Sequence, residues 1–112
     1  MSDGVSLAEE DFDYILQYAK DDWVGLSVLV AEAGHVLGKG ATNEQILEVM
    51  LSAISDLIDC GAVPGDLSEE SPGFVAWAGS KEERISRIRN EVHRLGRLPY
   101  TGEVCWLHKP TG

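Results

Sequence analysis

Apolar residues in the first sixty positions recur every three or four residues, and this period limits the stretch to helices packed on one another. From Leu7 onward, Phe12, Ile15, Leu16 and Ala19 keep that spacing. Asp21-Asp22 interrupt it. They are expected to cap a second helix, since a short carboxylate accepts the unpaired N–H groups of a first turn. That helix reads from Trp23 to about Leu37, with Trp23, Leu26, Val30, Ala33 and Leu37 as its buried stripe, and Gly38-Lys39-Gly40 ends it. Thr42 with Gln45 three residues on is a capping box that opens a third helix. Its stripe is Ile46, Leu47, Met50, Ile54, Leu57 and Ile58, and Gly61 stands where a left-handed cap belongs.

The pattern changes after Gly61. Ala62 to Leu67 and Phe74 to Trp77 are short and strand-like, and the polar loop between them, Ser68 to Gly73, predicts a hairpin. Ser80 and Glu83 form a second capping box, followed by the narrow stripe Ile85, Ile88, Val92 and Leu95 and a stop at Gly96. Leu98 to Gly102 is turn chemistry, and Glu103 to Leu107 predicts a last strand. The expected fold is therefore a single α+β domain over residues 1–112, mainly helical. It has a winged-helix-like three-helix core with a β-hairpin, plus a C-terminal helix and strand. The winged-helix likeness spans roughly residues 8–77 and is one of element order.

A chain of 112 residues can bury a core without a disulfide or metal staple. No apolar run reaches the roughly 18 residues that a membrane span needs. Met1-Ser2-Asp3-Gly4 lacks the basic-then-apolar pattern of a secretory signal. With the two cysteines, Cys60 and Cys105, far apart, a reducing cytoplasm with free thiols is favoured over a single disulfide.

Charge narrows the function. Residues 1–79 hold fifteen Asp or Glu against two lysines, whereas residues 80–112 hold four acids against seven Lys or Arg. The third helix, which would enter the major groove in a DNA reader, exposes Asn43, Glu44, Glu48, Ser52, Ser55, Asp56 and Asp59. The loop that would serve as the wing carries Glu69 and Glu70. Phosphate repels such surfaces. Arg84, Arg87, Arg89, Arg94 and Arg97 supply the contrary signal. They read either as a site for phosphate or acidic partners or, preferably, as internal partners of the acidic body.

Other chemistry finds little footing. Gly34 to Gly40 has three residues between Gly34 and Gly38, and a glycine follows Lys39, so it reads as a helix-ending turn and not a phosphate loop. His35, His93 and His108 share no ligand spacing. His35 and His93 read as helix-surface residues and His108 as tail. Cys60 and Cys105 sit in apolar segments and read as buried structural thiols. Adjacent carboxylates are common, but none is marked by a neighbouring apolar site as a general acid. No catalytic, cofactor-binding or metal-binding residue is assigned, and no cofactor is expected. Trp23, Trp77 and Trp106 read as core. Tyr14 and Tyr18 lie one turn apart, off the first helix's stripe, beside Glu10, Asp13 and Asp21-Asp22. Tyrosine ringed by carboxylates suits a basic partner.

Asp21-Asp22-Trp23, Leu57-Ile58 with Gly61, Val63 and Gly65-Asp66-Leu67, Phe74 with Trp77, Leu95-Gly96-Arg97 with Pro99, and Gly102 to Leu107 carry a resemblance over nearly the whole chain. The chain resembles a group of small bacterial proteins without assigned activity. Some of these look like immunity proteins encoded beside polymorphic or contact-dependent toxins. The resemblance implies a cytoplasmic inhibitor of one toxin domain, often a basic nuclease, and carries over no functional residue. The charge reading points independently to the same class: a non-enzymatic acidic module, monomer or weak dimer, that binds a basic protein. The expected surface is Glu10, Asp13, Tyr14, Asp21 and Asp22, or else Glu44, Glu48, Asp56 and Asp59. The second reading is a winged-helix nucleic-acid-binding regulator that uses the Arg84–Arg97 helix.

Overall fold

The computed structural model describes residues 6–67 and 73–110. The described elements run α1 (Glu9–Asp21), β1 (Val24–Gly25), α2 (Leu26–Leu37), α3 (Asn43–Asp59), β2 (Val63–Leu67), β3 (Phe74–Ala76), α4 (Lys81–Leu95) and β4 (Trp106–His108). Four helices and a four-stranded antiparallel sheet make the domain mixed α+β and mainly helical, as its periodicities predict. Glu69 and Glu70, expected in the hairpin loop, and Met1 to Gly4 lie outside the described residues.

Local signals set most boundaries. Thr42 and Gln45 satisfy each other's backbone N–H groups at the start of α3, and Ser80 and Glu83 do the same for α4. Gly96 caps α4 in the left-handed conformation at φ 73°. One face of α3 is buried over almost its whole length, with Leu47, Met50, Ile54 and Leu57 at 0–1% exposure. These residues join Ile15, Leu26, Leu29, Ile88 and Leu107 in one core.

The start of α2 departs from expectation. Val24 and Gly25 are extended and pair with β4, so the helix begins at Leu26 with Gly25 as N-cap. Its buried residues are Leu26, Leu29 and Ala33, and Trp23 falls outside it at 37% exposure. Asp21 and Asp22 therefore do not cap the second helix, and Asp22 is instead the C-cap of α1, its N–H donating to the Tyr18 carbonyl at 2.8 Å. Asp21 ends α1, and the Asp22 carboxylate accepts the neighbouring Trp23 N–H at 2.8 Å. The wide helical stripe included Trp23 because a two-residue strand is too short to break a helical period.

The last strand also differs. It spans Trp106–His108, and the sheet order is β1-β4-β2-β3. β4 extends the hairpin along β2 and then bridges it to β1, with Leu107 opposite both Val24 and Pro64. His108 is thus a half-buried member of an inner strand, its ring 5.3 Å from Phe74, and not part of a loose tail. Trp77 is buried and Trp106 half-buried, so two of the three tryptophans contribute to the interior. At the edge of the stripe on α4, Leu95 is 36% exposed.

Candidate functional site

α1 has two long flanks. Ile15 and Ala19 face the core, and α1 packs beside β1 and β4. Ala8 offers no capping side chain, and Glu9, Glu10 and Asp11 stand in the first turn instead, where negative charge complements the exposed N–H groups. The far end is tied down by residue 109. The Lys109 N–H donates to the Ala19 carbonyl at 2.9 Å, and the Lys109 ammonium donates to the Cys60 carbonyl at 2.9 Å.

On the outer flank, Tyr14 is 61% exposed and Tyr18 36%. Their rings meet edge to face at 6.1 Å. Tyr14, Gln17, Tyr18, Asp21 and Asp22 line a shallow cavity of about 280 Å³, and the Gln17 amide donates to the Asp21 carboxylate at 3.4 Å. Glu10 and Asp13 are exposed on the same helix, and exposed Trp23 follows Asp22 directly. Among the described residues, none of Glu9, Glu10, Asp11, Asp13, Asp21 or Asp22 takes part in a salt bridge.

The second expected surface is arranged differently. α4 runs antiparallel beside α3, and its basic side chains meet the acids of α3 in order. Glu44 meets His93 at 2.6 Å, Glu48 meets Arg89, and Asp59 meets Lys81 at 2.9 Å. Both Arg89 guanidinium nitrogens reach the Glu48 carboxylate. The Lys81 ammonium is shifted upward, chiefly by its hydrogen bond to Asp59. Such exposed pairs add little stability, but they compensate the charge of α3 locally. Asp56 alone of the four α3 site residues has no ion-pair partner among the described residues.

Three of the other four arginines are also engaged, while exposed Arg94 takes part in no salt bridge among the described residues. Arg87 pairs with Glu91 at 2.9 Å and stacks 3.6 Å over the Trp77 ring. Arg97 pairs with Glu103, and the Arg84 Nε–H donates to the Ser80 carbonyl at 3.3 Å. The internal-partner reading of the basic helix therefore describes Arg87, Arg89 and Arg97. No group of three His, Cys, Asp or Glu residues that could hold a metal ion occurs among the described residues. No described helix is long and apolar enough to cross a membrane.

Cys60 departs from its expected burial. It is an exposed free thiol at the end of α3, while Cys105 is buried and free. Burial pushes the Cys105 thiol up to about 12. Gln17 lines the acidic flank of α1 and is not singled out by the sequence, whereas Trp23, read there as core, is exposed directly after Asp22. Gln17 sits one turn before Asp21, a spacing that could have flagged it. The chain matches no protein-family model, no curated protein and no solved structure.

Proposed function

We propose that the protein is a non-enzymatic binding module that neutralises a basic protein through the outer flank of α1, in the manner of an immunity-type inhibitor acting on a toxin or nuclease in the cytoplasm. One observation carries this reading. The carboxylates of α1 are uncompensated beside three exposed aromatic side chains, whereas on α3 Glu48 and Asp59 already pair with Arg89 and Lys81 and Glu44 already bonds the His93 ring. Aromatic anchors supply contact area, and unpaired carboxylates around them steer a cationic surface into place. Lysines and arginines that would otherwise hold nucleic acid are suitable targets. A nucleic-acid role for the Arg84–Arg97 helix has weaker support, because Arg87, Arg89 and Arg97 are already paired with acids of the same chain.

The test is calorimetric titration of the purified chain with the product of the neighbouring reading frame, together with stopped-flow association rates, across a range of salt. The reading expects binding that weakens with salt. It also expects Asp13→Lys with Asp21→Lys to slow association by about tenfold or more, at the low end of electrostatic steering, while Glu44→Lys slows it far less. Salt-insensitive association, or association lost only through α3, would overturn it. So would a neighbouring product that does not bind, and capture of genomic DNA fragments by the Arg84–Arg97 helix would then favour the second reading.

A further inference from the structure

On its other flank, α1 borders a second recess. Leu7 just before α1, Phe12 in its first turns and buried Ala53 from α3 form the apolar floor of a cleft of about 430 Å³. Exposed Glu9 and Asp56 stand on its rim, and exposed Cys60 lies at the end of α3. This volume lies in the range of real ligand sites. Asp59, on the same rim, is held by Lys81, whose charge also feels Asp56, but neither Glu9 nor Asp56 forms a salt bridge among the described residues. A wholly apolar occupant would cover these carboxylates without pairing them, which is costly. An acidic occupant would be repelled. Lysine and arginine satisfy both parts of the cleft, since each carries an aliphatic stem ending in a cation.

We infer that the cleft between α1 and α3 receives a lysine or arginine side chain from a basic segment of the partner protein. Its stem would lie on Leu7, Phe12 and Ala53, and its charge would sit between Glu9 and Asp56. This deepens the reading of a basic partner but uses the opposite flank of α1 from Tyr14 and Tyr18. It makes α1 a ridge gripped on both sides.

Cys60 provides the test, because it lines the cleft while Cys105 is only 1% exposed. The rate at which a thiol reagent labels Cys60 in the full chain is measured with a blocked peptide of alternating leucine and lysine, and with its counterpart carrying glutamate for lysine. The lysine peptide should slow labelling several-fold and shift the amide resonances of Phe12 and Ala53. The glutamate peptide should do neither. Glu9→Gln with Asp56→Asn should abolish protection. Tyr14→Ser with Asp21→Asn, on the outer flank, should leave it intact.

Equal protection by both peptides, or protection that survives Glu9→Gln with Asp56→Asn, overturns the inference. Protection lost through the outer-flank variant, or given equally by free butylamine, also overturns it. Thermal melts of each variant verify that these exposed substitutions leave the fold in place. The peptide assay does not depend on the neighbouring gene product, so a failed partner titration with a protected Cys60 would sink the proposed function and leave the cleft standing.

Discussion

Arg97 holds Glu103 through two guanidinium nitrogens at 2.7 and 2.8 Å, and this two-pronged pair fastens the turn that delivers β4 to the sheet. The same Glu103 carboxylate accepts the Tyr100 N–H at 2.7 Å, and the Arg97 guanidinium lies 4.0 Å above the Tyr100 ring. The Arg97 hydrogen bonds are the largest influence on the Glu103 carboxyl, followed by the Tyr100 N–H, and they lower it from 4.5 to about 2.

A carboxyl depressed in the folded state stabilises fully above its unfolded value and loses that contribution as pH falls through the folded one. The Glu103 contribution is therefore present at neutral pH and lost between about 4.5 and about 2. Melting temperatures of the wild type and Glu103→Gln, measured across this window, should converge as pH falls. A constant gap down to the lower limit would contradict this assignment.

Trp77 is anchored by its polar edge as well as by burial. Its indole N–H donates to Asp66 at 3.0 Å, and Arg87 covers its ring. Trp77→Phe keeps an aromatic ring but drops the hydrogen bond, and should cost about 1–2 kcal/mol in denaturant unfolding. Asp66→Asn retains an acceptor and should cost less than Trp77→Phe. The reverse ranking would show that the charge of Asp66, and not the indole hydrogen bond, matters at this corner.

Gly65 is required by close approach and not by its dihedral angles. A Cβ there would strike the Val75 carbonyl, and would lie 2.7 Å from the Phe74 ring and 2.9 Å from the Ala76 Cα. Two of these neighbours are backbone of the paired strand β3, which cannot yield without parting from β2. Gly65→Ala should destabilise by about 1–3 kcal/mol, as overpacking does, with amide exchange rising first in β3. A neutral Gly65→Ala would mean that the hairpin can shift at no cost.

The two thiols should separate cleanly in a labelling experiment. Cys60 is exposed and should react in the native protein, while Cys105 should react only on unfolding because burial leaves almost no thiolate. Mass spectrometry after brief labelling should find one adduct, at Cys60. A native adduct at Cys105 would show that the β4 region opens readily.

What could be read from the chain beforehand was chiefly local. Thr42 with Gln45 and Ser80 with Glu83 mark helix starts because the capping bonds join residues three apart. Tyr14 and Tyr18 were legible as an outer flank because both leave the stripe of their own helix. The features that were missed depend on partners distant in sequence. Val24-Gly25 is a strand only because Trp106 and Leu107 lie opposite. Cys60 is exposed at the C-cap of α3, where the chain turns at Gly61, whose φ is +104°, and its carbonyl is taken by distant Lys109. The cleft joins Leu7 and Phe12 to Ala53, more than forty residues away, and residue spacing within one helix cannot reveal it.

The inner position of β4 also governs the order of events during synthesis. Val24-Gly25 and the Val63–Leu67 hairpin strand have no direct pairing and meet only across Trp106–His108. As the polypeptide leaves the ribosome, its helices can assemble early, but the sheet must wait for residue 108 to clear the exit tunnel. Until then the nascent protein carries two open strand edges, and it is exposed to mispairing for longer than its short length would suggest.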